Sequence, residues 1–253
     1  MAQIGYGYGS EFHLMRFLGH HRDLLERRIS QQIKEVGIFN WLDFEFEKNP
    51  LSSICGDKEL KGLSFLKRIG ASDNQIEPVI SEYHSYSINK INSWQNWDAI
   101  FTLNGTLYLV EAKAHVSEIS SGNIEHGDSS KDEILRFFTE QLGENTQYNF
   151  PVTREWLRNY YQLANRMATA ALLNKHGIKT KVLYIYFING YDKRIVDEKK
   201  VVRIYEDNAS KSDYEKAIEK EERSLGIYQN ERLAELLAPP VFINAYGEKY
   251  TEL

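Results

Sequence analysis

At 253 residues, with 42% hydrophobic, 13% aromatic and 26% charged residues, the chain is long enough to bury a sizeable core and too rich in aromatic side chains for a disordered segment. A net charge of −5 excludes a basic coat for nucleic acid, because neutralising phosphate in that way needs clustered Lys and Arg. Cys55 is the single cysteine, which excludes an intrachain disulfide and a cysteine-based zinc cluster and suits a reducing compartment.

The opening MAQIGYGYGSEF has no basic stretch followed by an apolar run, and Ala2 stands where N-myristoylation needs glycine. No apolar run approaches the ~20 residues that span a bilayer. The expectation is a cytoplasmic protein with no membrane partner. GYGYG lacks the preceding strand and the Gly-Lys-Ser/Thr ending of a phosphate-cradling loop, so it reads as a lead-in to a helix.

Ser10 is placed to cap that helix, which runs through FHLMRFLGHHRDLLERRISQQIKEV. Leu14, Leu18, Leu25, Ile29 and Val36 recur near helical spacing, Gly19 is a point of bending, and Gly37 is a stop signal. His20 and His21 read as solvated mid-helix residues. Residues 38–75 show no sustained period, and Ile76 to Ile91 has room for a strand. Residues 97–103 and 106–114 read as two strands around Asn104-Gly105, the strongest short-range signal for a two-residue hairpin.

From Ser117 to Asn149 a polar Ser/Gly loop turns helical around DEILRFFTEQL. Thr153 is placed to cap a longer helix in which Ala164, Ala168 and Ala171 form a narrow stripe. Lys175, His176 and Gly177 supply its cationic last turn and stop. KVLYIYFI then reads as a strand covered on both faces, so strand, helix and strand make an α/β crossover. Tyr191 to Arg223 is charge-rich, with a surface helix at KSDYEKAIEKEERSL, and Pro239-Pro240 leads into a last strand at VFINAY. The organisation is one domain, 1–253, with a charged peripheral helix and strand near 191–253.

A two-residue turn at Asn104-Gly105 pairs Leu103 with Thr106, Phe101 with Tyr108, Ala99 with Val110 and Asp98 with Glu111. Alternation then puts Asp98, Ile100, Leu109, Glu111 and Lys113 on one face, and Trp97, Ala99, Phe101, Tyr108, Val110 and Ala112 on the other. Opposed Cβ atoms lie about 4.5 to 5.5 Å apart, where like charges are destabilising unless a cation or a shared proton intervenes. Mg²⁺ is held by one or two carboxylates together with substrate phosphate, and Lys113 stands two residues on to offset charge in the transition state. Hydrolysis of a phosphodiester is the reaction class that uses such a set. The bland reading is a solvated ion pair on a strand. His115 lies where the strand gives way to a polar loop and reads as a surface or structural residue outside the site. Arg154, Arg158 and Arg166, with Trp156, Tyr160 and Tyr161, offer phosphate and stacking contacts or simply form an amphipathic helix.

Through NWDAIF, YLVEAKAH and the helix containing YYQLANR, across roughly residues 76 to 190, the chain resembles the PD-(D/E)xK nuclease superfamily. The resemblance implies an α/β fold with a restriction-endonuclease-like core, a central mixed sheet flanked by helices. It implies that Asp98 and Glu111 are metal ligands, Lys113 the catalytic lysine and the Ala112 carbonyl a further ligand, with Trp97 in place of the proline that names the motif. Some members add a first-helix Glu and a crossover-helix Gln; Glu11 and Gln162 resemble those positions, and Glu26 competes with Glu11. Gln162 and Arg166, four apart, share a helix face and can reach the acidic site or substrate phosphate. The expectation is a Mg²⁺-dependent nuclease, with Mn²⁺ able to substitute, whose partner is nucleic acid and foremost DNA. The alternative is a non-catalytic nucleic-acid or protein-binding module retaining the nuclease fold. A homodimer is compatible with the family, and nothing in the chain marks an interface.

Overall fold

The computed structural model describes residues 9–42, 45–46, 57–58, 60–86, 95–120, 128–143, 152, 154–189, 191–195, 202–206 and 210–245. Residues 5–8 of the glycine-rich lead-in, Cys55, residues 87–91 of the expected strand and the expected cap Thr153 lie outside them. Among the described residues no helix is long and apolar enough to cross a membrane.

The chain opens with helices α1, Ser10–His20, and α2, Arg22–Ile33, broken at His21 (φ −136, ψ 33) rather than bent at Gly19. The cap is Gly9 and Ser10 is already helical, so the expected Ser10 cap is not formed. Lys34, in the left-handed region at φ 57, ends α2 three residues before Gly37. Short strands β1, Asn40–Trp41, β2, Glu45–Phe46, β3, Asp57–Lys58, and β4, Leu60–Lys61, follow. Next comes helix α3, Asp73–Ser85, where a strand was expected from Ile76. Ser72 and Gln75 cap it reciprocally, and Ile76, Val79 and Tyr83 are buried at helical spacing, a combination that overrides the β-branched content of the segment.

Strands β5, Asn96–Trp97, β6, Ala99–Leu103, and β7, Thr106–Lys113, carry the central hairpin. Its register pairs Leu103 with Thr106, Phe101 with Tyr108 and Ala99 with Val110, as the turn dictates. Asn104 (φ 49) and Gly105 (φ 76) both adopt positive φ, the requirement of a type I′ turn and the reason for this dipeptide. Gly37 packs on the turn: a Cβ there would come within 2.5 Å of Asn104 Oδ1.

Helix α4, Asp128–Phe138, continues as a π-helical turn over Thr139–Gly143. Helix α5, Tyr161–Lys175, starts after a 3₁₀ turn at Arg154–Leu157, seven residues later than a cap at Thr153 would give. Every residue from Leu163 to Leu173 is buried, so Ala164, Ala168 and Ala171 let α5 lie close to the sheet. Strand β8, Thr180–Ile188, precedes an antiparallel pair, β9, Tyr191–Ile195, and β10, Val202–Glu206. Helix α6, Lys211–Ser224, is capped by the Ser210–Asp213 box, and α7, Glu231–Glu235, leads to β11, Val241–Asn244.

The main sheet has the order β1-β6-β7-β8-β11. Its β1, β6 and β7 are antiparallel neighbours, whereas β7, β8 and β11 run parallel, as a crossover through α5 requires. The protein is therefore α/β with a mixed sheet flanked by helices. On one face Leu14, Phe17, Leu25 and Ile29 of α1 and α2 pack on Phe101, Val110, Leu183 and Ile185. On the other, Leu163, Ala164, Met167 and Ala168 of α5 pack on Ile100, Leu109 and Val182, and Tyr214 of α6 joins them.

Candidate active site

At the C-terminal end of β7 the second face changes from apolar to charged. Glu111 and Lys113 are 4% and 6% exposed, and parallel pairing sets Tyr184 and Tyr186 of β8 beside them. The two tyrosine rings stack at 5.9 Å.

Asp98 stands one residue beyond the Ala99–Val110 pair, at a bend between β5 and β6. Its half-buried carboxylate turns to β7 and accepts the Ala112 amide through Oδ2 at 2.7 Å. The bend also corrects the expected alternation. Trp97 does not share the face of Ala99 and Phe101; it is buried in the α5-side core, edge-on to Phe65, and its Nε1 donates to the Gly62 carbonyl at 2.8 Å. The cause is a change of partner, since β5 pairs with β4 and only β6 pairs with β7.

Glu111 is enclosed by cations. Its Oε1 accepts Lys113 Nζ at 2.8 Å, while Oε2 takes Arg166 Nε at 2.7 Å and Nη2 at 2.6 Å. Lys113 Nζ also donates to Gln162 Oε1 at 2.7 Å. Arg166 Nη2 donates to the Asn96 carbonyl at 3.1 Å, and its guanidinium lies 5.3 Å from the Trp97 ring centre. The four-residue spacing of Gln162 and Arg166 points both side chains from α5 at the same spot. Gln95 anchors that helix beside Asp98, its Nε2 reaching the Asn165 carbonyl at 3.0 Å and Thr169 Oγ1 at 2.7 Å.

The two acids are shifted in opposite directions. Burial pushes the Glu111 carboxyl up, but Arg166 and Lys113 outweigh it and hold the group below the usual carboxylate range. Burial and the Glu111 charge push Asp98 well above its usual range, against the Ala112 hydrogen bond and the two cations. Nearby, Glu118 Oε2 accepts the Ala114 amide at 3.1 Å, and burial raises its carboxyl against the pull of Lys113 and His115.

The structure thus brings Asp98, Glu111, Lys113 and Gln162 together and adds Arg166 as a direct partner of Glu111. Glu11, in the first turn of α1, and Glu26, whose Oε1 accepts Trp41 Nε1 at 2.9 Å, belong to the helices on the opposite face of the sheet. Among the described residues, no three or more His, Cys, Asp or Glu side chains are grouped so as to hold a metal ion. Tyr184, Tyr186 and Glu221 were not singled out from the sequence. The tyrosines carry a signal in retrospect, because they alternate in KVLYIYFI in phase with Glu111 and Lys113. No protein-family model, curated protein or solved structure matches the chain.

Proposed function

We propose that the protein is a metal-dependent nuclease that hydrolyses phosphodiester bonds, foremost in DNA, with Mg²⁺ as its cofactor and Mn²⁺ able to replace it. The observation that carries this reading is the convergence of Asp98, Glu111, Lys113 and Gln162 at one end of one sheet face. The mixed sheet, with Asp98 leading into β6 and Glu111 and Lys113 on the next strand, supports a restriction-endonuclease-like core.

The donor set fits a hard cation. Burial first and then the Glu111 charge raise the Asp98 carboxyl, so a cation between the two acids would relieve both, and oxygen ligands of this number are what Mg²⁺ takes when substrate and water complete its sphere. Asp98, oriented by the Ala112 amide, and Glu111 would hold the ion, with the Ala112 carbonyl as a further oxygen. When bound, such an ion supplies Lewis acidity and charge neutralisation at the phosphate. Lys113, steadied by Gln162, offsets the charge that grows on the phosphoryl oxygens, and Arg166 fixes the orientation of Glu111. Water forms the new P–O bond and gives up a proton as the bond to the leaving oxygen breaks and that oxygen takes one.

Purified protein and Lys113→Ala are incubated with plasmid, linear duplex, single-stranded DNA and RNA, with Mg²⁺, Mn²⁺ or chelator. The expected outcome is cleavage that needs metal and falls by about 10²–10³-fold or more in Lys113→Ala. Cleavage untouched by that change would overturn the reading. One observation favours a second reading: both oxygens of Glu111 already hold cations, as in a charge cluster that serves only the fold of a non-catalytic nucleic-acid or protein-binding module. Binding without metal-dependent cutting would support it.

A further inference from the structure

A cation at Asp98 and Glu111 must displace something. Glu111 Oε1 is engaged by Lys113 and Oε2 by Arg166. Arg166 is additionally tied to the Asn96 carbonyl and lies over Trp97, whereas Lys113 adds to Glu111 a hydrogen bond to Gln162 and carries its ammonium on a flexible stem, so it is the partner more easily moved.

One carboxylate stands ready on the same face. Glu221 of α6 is 4% exposed and, among the described contacts, makes neither a hydrogen bond nor an ion pair. It lines a cavity of about 30 Å³ that is otherwise walled mainly by apolar and tyrosine side chains, among them Leu163, Tyr184 and Tyr186, with the less buried Glu222 at its edge. Tyr186, one wall of this cavity, is the register partner of Lys113 on the neighbouring strand. The cavity volume suits one small polar group, a water or an ammonium. Burial pushes the Glu221 carboxyl up to about 8, with Lys113 drawing it down and Glu222 pushing it up. A buried carboxylate of this kind gains most from a cation brought next to it.

We infer that Glu221 is a positioning residue for Lys113: when a divalent cation occupies Asp98 and Glu111, the ammonium leaves Glu111 and is received by Glu221 in the cavity under Tyr184 and Tyr186. The inference rests on the cation-binding reading of Asp98 and Glu111. It gives α6 a role in the site that its exposed, charged sequence hides.

Mn²⁺ alone, without nucleic acid, is titrated by calorimetry into wild type, Glu221→Gln, Lys113→Met and the double variant, with the shift in Tm on adding Mn²⁺ as a second readout. Glu221→Gln is expected to weaken Mn²⁺ binding about ten-fold, and to have no further effect in the Lys113→Met background, where no ammonium has to be rehoused. Equal affinity of wild type and Glu221→Gln overturns the inference. So does a loss that persists in Lys113→Met, since that marks a purely structural effect. Absence of Mn²⁺ binding in both wild type and Lys113→Met overturns the cation reading itself and the inference with it. Glu221→Leu, which fills the same space without charge, provides the same comparison should Glu221→Gln fail to fold.

Discussion

Beneath α1 and α2 the sheet presents Ala99, Phe101, Val110, Leu183, Ile185 and Phe187, each at most 1% exposed and all apolar. Beneath α5 and α6 the same strands present Ile100 and Leu109 and then Glu111 and Lys113, with Tyr184 and Tyr186 alongside. Desolvating charges is costly even when they are paired, so Glu111 and Lys113 are tolerated on the second face because an extensive apolar core surrounds them there and a second one backs the sheet on the first. Strand alternation lets one eight-residue segment, β7, serve both ends.

The contrast is broken most severely from the charged side. Arg166→Ala leaves the buried Glu111 with Lys113 as its remaining cation and is expected to cost about 4 kcal/mol of stability by urea denaturation, and to abolish any Mg²⁺-dependent cutting. Leu183→Ala, on the dry face, is expected to cost about 3 kcal/mol through its cavity, while the specific activity of the folded fraction is unchanged. Equal effects of the two on activity would show that the faces are not separable.

The dry face has a titratable member. His13 of α1 is fully buried between Phe12 and Phe187, and burial, with the charges of Arg16 and His115, lowers its imidazole to about 4. Its folded value lies below that of the unfolded chain, so the unfolded state binds more protons as pH falls from about 6.5 towards 4, and stability is lost in that window. His13 alone is expected to contribute a loss of about 2 kcal/mol between pH 7 and pH 5, opposed over the same range by the raised Glu221 and Asp98 carboxyls, so it is read as the difference between wild type and His13→Gln in a series of urea melts. The smallest effect belongs to the element the faces share. Gly105→Ala, at φ 76, is expected to cost about 1 kcal/mol and lower Tm without favouring either face.

Legibility followed the range of the interactions. The hairpin and its register from Leu103–Thr106 to Ala99–Val110 are written in one dipeptide, and Gln162 and Arg166 in a spacing of four, whereas the expected pairing of Asp98 with Glu111 falls past the end of that ladder, where the chain bends and Asp98 turns to the Ala112 amide. Trp97 was misassigned because its strand changes partner at Asp98, a tertiary event with no local mark. The helix at Asp73–Ser85 did carry a local mark, Ser72 three residues before Gln75, which outweighs the β-branched residues that suggested a strand. Glu221 was beyond reach: it is one acid in a run of charges, distinguished only by facing inward with Tyr214, seven residues earlier on α6.

The turn at Asn104-Gly105 has a consequence for how this chain can vary. Surface loops are normally where insertions and deletions accumulate. Here one residue more between Leu103 and Thr106 must be absorbed as a bulge, or it carries Glu111 and Lys113 to the side of Phe101 and brings Val110 and Ala112 under α5. Gly37, pressed against Asn104 from behind, narrows the room for such a bulge. The length of this small exposed loop is therefore as tightly constrained as the identity of any acid in the site, and related chains should differ almost everywhere on the surface before they differ in the number of residues there.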